Sequence, residues 1–149
     1  MSCCIPQETC VKILKYAEQC LQVKLQLKKS LLFPKSVYIT DVNYEDDHPE
    51  KFLLIFNIKV DHLGKKTGCI RYFQIPLHMR HHGLAKKIYF ILENELQDLG
   101  CQIINVEATI DNSSHTTVKF WEHLGFKISP YCSFENDTCP MYKQFKGIE

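Results

Sequence analysis

Leu84, Ile88, Ile91, Leu92, Leu96 and Leu99 step along the chain by 4, 3, 1, 4 and 3 residues, an apolar stripe on one side of a helix that Gly100 ends. Runs with the composition of strands flank it, Cys69–Leu77 before and Cys101–Ile110 after. A strand, an amphipathic helix and a second strand form a crossover, and right-handed crossover makes the two strands parallel. Upstream the pattern is different. Val37–Tyr44, Phe52–Val60 and Cys69–Leu77 read as strands joined by short polar turns, Glu45–Glu50 and Asp61–Gly68, which predicts an antiparallel meander. Downstream, Val118, Trp121 and Leu124 mark a short helix stopped by Gly125, and strands near Phe126–Cys132 and Thr138–Phe145 close a hairpin. At the N-terminus, Pro6–Leu21 reads as an amphipathic helix with Cys10, Ile13, Leu14, Ala17 and Leu21 on one face. Leu21–Lys28 fits either state: Leu21, Val23, Leu25 and Leu27 alternate as in a strand, yet Leu, Gln and Lys favour helix. The fold class is α/β with a mixed sheet: a meander, a β-α-β crossover, then helix and C-terminal hairpin.

The 149 residues are expected to form a single domain spanning the chain, with enough bulk to bury a full core. Eighteen Lys and Arg against 17 Asp and Glu leave almost no net field, which argues against nucleic acid and membrane surfaces as partners. No apolar run is long enough for a membrane span. The first ten residues lack the charged start and apolar core of a secretory signal, so a cytoplasmic location is expected, with the eight cysteines as free thiols. His78, His81 and His82 have no carboxylate or cysteine nearby in sequence to complete a ligand set, so no metal is expected.

Two segments can carry chemistry. Leu77–Lys87 joins a strand end to a helix start, where backbone N–H groups and the positive helix end favour an anion such as a phosphate. Gly83 permits close approach, Ala85 keeps the wall small, and Arg80, Lys86 and Lys87 add positive charge. Alone, this is an ordinary strand-to-helix turn; it has neither a dinucleotide fingerprint nor a Walker loop. Val118–Phe126 is an aromatic-rich helix stopped by glycine, and alone it reads as core packing.

Together the two segments resemble the GNAT superfamily of acyl-CoA-dependent N-acetyltransferases. Arg80-His81-His82-Gly83-Leu84-Ala85 is similar to its Arg/Gln-x-x-Gly-x-Gly/Ala pyrophosphate loop. Phe120-Trp121-Glu122-His123-Leu124-Gly125-Phe126 is similar to its Phe-Tyr-x-x-x-Gly-Phe segment, and the order of elements matches from Val37 onward. The resemblance implies acetyl-CoA as acyl donor and direct transfer to a primary amine, on a small molecule or a protein, in a ternary complex without a metal. It implies that the strand before the loop splays from its parallel neighbour and that the pantetheine arm fills the gap. Ile75 and Leu77 would then flank the cofactor, with Pro76 marking the departure from regular pairing. The backbone near Ile75–Leu77 would stabilise the oxyanion. Arg80, His81, His82, Gly83, Leu84, Ala85 and Lys86 would hold the pyrophosphate. Asn112 and Ser114 would border the arm from the other side, and Trp121 would close the cleft beside the thioester.

The chain departs from that pattern in four places. Ser114 stands where the family usually has Asn, and Trp121 where it often has a proton-donating Tyr. Cys69 stands where some members carry a Glu base, with no acid from there to Leu77. The usual strand ahead of the first helix is missing, unless Leu21–Lys28 replaces it. Deprotonating a lysine-like amine near neutral pH costs about 4–5 kcal/mol, whereas protonating a departing thiolate is worth only about 2 kcal/mol at pH 7. A missing base therefore matters more than a missing acid. Candidate bases are Glu107 and Asp111, with His78 behind them; candidate acids are Tyr131 and Tyr142. Two rival readings are a catalytically reduced acyl-CoA-binding or regulatory module and an interaction protein with an empty cleft.

Overall fold

The computed structural model describes residues 2–28, 35–42, 51–79, 83–109, 116–130 and 138–145. The strands are β1 (Ser2–Cys3), β2 (Leu25–Lys28), β3 (Val37–Asp41), β4 (Leu53–Val60), β5 (Lys66–Gln74), β6 (Cys101–Thr109), β7 (Lys127–Ile128) and β8 (Thr138–Gln144). The helices are α1 (Gln7–Leu21), α2 (Leu84–Asp98) and α3 (Thr116–His123). The sheet runs β2-β3-β4-β5-β6-β8-β7, and β1 pairs with β4. Every pairing is antiparallel except β5 with β6, the two strands joined through α2. This is the expected α/β class, meander, crossover and closing hairpin. None of the helices is long and apolar enough to cross a membrane, among the described residues.

Three boundaries differ from expectation for physical reasons. The strand ahead of the first helix exists as β1, two residues long, which is too short to show a period; it pairs with Lys59 and Ile58. The ambiguous stretch divides. Gln22 takes a left-handed conformation at φ 56° and ends α1, and Leu25–Lys28 then pairs with Asp41–Tyr38. The Glu18 carboxylate accepts the Leu25 N–H at 2.9 Å and fastens this switch. The turn before β5 is tighter than Asp61–Gly68, because the Asp61 carboxylate accepts the N–H groups of Leu63 and Lys65. Lys66 and Thr67 are thereby released to pair with Val60 and Lys59. Gly68 lies within the strand because α2 passes close above it: a Cβ there would sit 2.9 Å from Leu96 Cδ1.

The three helices cover one face of the sheet. Ile13, Ala17 and Leu21 of α1 and Ile88, Leu92 and Leu96 of α2 share one buried core with Leu54, Phe56, Ile58, Ile70, Ile104 and Val106 of the sheet. Trp121 of α3 joins it through Tyr89 and Phe73, with ring centroids 5.6 and 6.0 Å away. The opposite face is polar along one register line: Asn57 stands beside Cys69, Cys69 beside Asn105, and Asn105 beside Tyr142.

Candidate active site

The site begins with an interruption of alternation in β5. Ile70 pairs with Phe56 and Tyr72 with Ile55, so Arg71 is an extra residue without a partner on β4. Such a bulge bends a strand and re-aims its side chains. Beyond it the parity is inverted: Phe73 turns into the core against Phe52, and Tyr72 turns out, 52 % exposed. The ladder between β5 and β6 stops at the same point, with Ile70–Val106 as its last pair. β6 continues alongside β8 to Thr109, so the two parallel strands diverge past Ile70.

A cleft of about 1210 Å³ occupies the divergence. Phe73, Gln74 and Ile75 form one wall, Val106 and Glu107 another, and the start of α2 with one side of α3 a third. Among the described residues, the charged ones in its lining are Arg71, Lys86 and Lys119 against one carboxylate, Glu107. Gly83 caps α2 at φ 77°, with no side-chain hydrogen bond to the helix start. Among the described residues, a Cβ built on Gly83 would meet nothing within 4 Å. The first N–H groups of a 15-residue helix therefore face the cleft end with their positive dipole, which suits an anion.

A second cavity of about 280 Å³ lies on the polar face of the sheet, with Lys59, Cys69, Asn105, Ser129 and Tyr142 in its wall. Arg71, Val106 and Glu107 line both cavities. The seam between the parallel strands thus has a large cleft on one side and a small pocket on the other. Burial pushes the Cys69 thiol above its ordinary value, opposed by the positive charges of Lys59 and Arg71. A protonated thiol is a poor base and a poor nucleophile, so Cys69 does not replace the missing acid of β5.

No protein-family model matches the sequence, and no curated protein matches it. Solved structures do. A chain of the NatC complex bound to Gag peptide and CoA superposes with a TM-score of 0.55 at 17 % identity, covering 98 % of both chains. Naa50 of Arabidopsis thaliana, in complex with the bisubstrate analogue CoA-Ac-MVNAL, gives 0.52 at 15 % identity, covering 97 % of this chain and 98 % of that one. A protein described as an acetyltransferase of the GNAT family, from Desulfovibrio desulfuricans, gives 0.53 at 11 % identity, covering 97 % and 96 %. The chain has the GNAT fold.

Within this GNAT fold, Ile75, Gly83, Leu84, Ala85, Lys86 and Trp121 all line the large cleft, and Glu107 stands at the seam. Trp121 is 3 % exposed and belongs to an aromatic cluster with Phe73, Tyr89, Phe120 and Phe126, of which Phe73 and Phe120 also line the cleft. Tyr142 lines the small pocket and not the large cleft, because register with Asn105 puts it on the helix-free face. Pro76 lies past the end of β5, and the strands have already diverged at the Arg71 bulge, so the departure from regular pairing comes earlier than expected. His78 is exposed on a 3-10 turn, Leu77–Met79, and lines neither cavity. Arg80, His81, His82, Asp111, Asn112, Ser114 and Tyr131 lie outside the described residues, as does the Leu77 side chain. Among the described residues no group of His, Cys, Asp and Glu is gathered as a metal site. Sequence reasoning missed Arg71. Its signal is the spacing of Ile70 and Phe73, three apart where an unbroken strand would bury residues two apart.

Proposed function

We propose that this chain is an N-acetyltransferase that transfers an acetyl group from acetyl-CoA directly to a primary amine. The observation that carries this reading is the divergence of β5 and β6 at Ile70–Val106, which opens a long cationic cleft ending at Gly83 and the start of α2. A cleft of this volume exceeds what a drug-sized ligand fills and suits an extended one with an anionic end. Two of the structures with this fold hold CoA or a CoA-based analogue, which supports the same ligand here.

In this reading acetyl-CoA lies with its pyrophosphate at Gly83–Lys86 and its pantetheine arm along Phe73–Ile75. The thioester stands at the seam, and the amine enters from the small pocket. The amine nitrogen attacks the thioester carbonyl carbon, its proton passes to the Glu107 carboxylate, the C–S bond breaks, and the thiolate takes a proton from water. Backbone N–H of the diverging strand polarises the carbonyl oxygen. Trp121 cannot donate that last proton usefully, because an indole N–H does not ionise in this range. It holds the cleft wall instead. The cytoplasm suits this activity, and the six described cysteines Cys4, Cys10, Cys20, Cys69, Cys101 and Cys139 are free thiols there.

A second reading, an acyl-CoA-binding module without turnover, draws on β5, which carries no carboxylate, and on Trp121 at the donor position. One experiment separates the two: a thermal-shift titration with acetyl-CoA, then release of free CoA thiol across a panel of amines and peptides. Ligand at 100 times its dissociation constant adds about 2.7 kcal/mol and raises the melting temperature visibly. Binding with amine-dependent thiol release supports the enzyme, and binding without it supports the module. No shift at millimolar acetyl-CoA overturns both.

A further inference from the structure

We propose that the small pocket takes an amine carrying its own carboxylate, with Arg71 as the group that holds the carboxylate and Glu107 facing the amine. The inference rests on the acyl-transfer reading and names the substrate class of that site. Its first support is the position of Arg71. As the bulge residue it is the one side chain of β5 lining both cavities apart from the strand's own ladder, at the seam where an acceptor must meet the thioester. The second is its bonding. The Arg71 Nε is buried and has no hydrogen-bond partner among the described residues. Buried donors in folded proteins are nearly always satisfied, and an orphaned one beside a cavity points to a partner that arrives from outside. A guanidinium offers a planar fork matched to a carboxylate, which it can bind through two parallel bonds.

The third support is the charge pattern. Lys59 stands in the same pocket, exposed, and both cations are felt at Cys69 on the wall between them. Opposite in sign, Glu107 stands at the seam. A pocket with cations on the β4–β5 side and a carboxylate on β6 is the complement of a molecule with an anion at one end and an amine at the other. The volume of about 280 Å³ is at the small end for ligand sites, enough for a group the size of one amino acid. A free amino acid and the acidic first residue of a peptide share this chemistry.

The test uses the full chain saturated with CoA for binding and with acetyl-CoA for turnover. Probes are matched pairs: alanine, phenylalanine and glutamate against their carboxamides, and C-amidated tripeptides beginning with Asp against those beginning with Asn. In at least one pair, the acid is expected to bind, and to be acetylated in kcat/KM, at least tenfold better than the amide. The free-amino-acid arm and the peptide arm tell which source is used. In Arg71→Gln that ratio should fall to near unity, through KM rather than kcat. Lys59→Gln, on an exposed position, should lower it about two- to threefold and raise its dependence on salt less than wild type. Equal use of acid and amide in every pair overturns the proposal. So does an Arg71→Gln variant that binds acetyl-CoA more weakly while the acid-to-amide ratio stays, since Arg71 would then serve the cofactor. Acid-selective binding with no acetylation of any probe would instead overturn the transferase reading and leave the carboxylate site standing.

Discussion

Gly83 and Trp121 show how differently two residues of the same cleft were legible. Glycine in a strand-to-helix turn announces a close approach, and the structure puts Gly83 at φ 77° facing empty space. A glutamate there combines a strained backbone, bulk in the open volume and a charge repelling phosphate. Gly83→Glu should lose at least a hundredfold in acetyl-CoA affinity by calorimetry and stay folded by circular dichroism; wild-type affinity would remove the phosphate assignment. Trp121 reads equally well from sequence as core or as cleft, and the structure makes it both, buried among four rings and lining the cavity. Trp121→Ala should cost about 3–5 kcal/mol by urea unfolding, as large aromatic deletions in cores do. Trp121→Phe keeps most of the packing and should retain most acetylation activity. Loss of turnover in the Phe variant with melting temperature and acetyl-CoA affinity unchanged would give the indole N–H a direct role. Which cavity Tyr142 lines was not legible: side alternates with every residue of a strand, and only register with Asn105 tells which side it takes.

At the scale of elements, the crossover helix is tied to the last strand by a largely buried polar node. Glu93 Oε1 accepts the Tyr89 hydroxyl at 2.9 Å and meets Lys143 Nζ at 2.6 Å. The ammonium also lies 5.9 Å from the Tyr89 ring centroid and 5.6 Å from that of Phe90. Burial first, then the Glu93 charge, hold the Tyr89 hydroxyl protonated well above the ordinary phenol range. The two charged side chains are 20 % and 11 % exposed, so removing one strands the other in a poorly solvated place. Lys143→Ala should cost about 2–4 kcal/mol in denaturant unfolding. Replacing both, Lys143→Met with Glu93→Leu, should recover most of that loss. A double variant as unstable as the single would show that the node acts through something other than the pair. By contrast Lys12 and Glu95, 2.7 Å apart between α1 and α2, involve a lysine 68 % exposed and contribute little.

For the molecule as a whole, two buried thiols make stability fall as pH rises past the ordinary thiol range. Burial pushes Cys10 and Cys69 above the ordinary thiol value. In the unfolded chain a thiol loses its proton near pH 8.5. Above that pH the folded state holds more protons than the unfolded one, so this stabilisation is complete below it and declines as pH rises. The urea midpoint should fall between pH 8 and 10, and Cys69→Ala should make the fall shallower; a flat midpoint would mean these thiols ionise in place. The α/β class, the meander, the crossover helix Leu84–Asp98 and the pairing of a glycine turn with an aromatic helix are all legible in the chain's own residues. Those follow from local periodicity, and each is written in contiguous residues. Three decisions belonged to tertiary structure alone. β1 and β2 exist because β4 and β3 offer them edges, and two or four residues carry too little period to declare a strand. The divergence of β5 from β6 depends on a bulge at Arg71, defined only by what β4 places opposite it. The meeting of Arg71 and Glu107 at one seam joins residues from two strands with a helix between them, and a distance across a sheet is not encoded in either strand's own pattern.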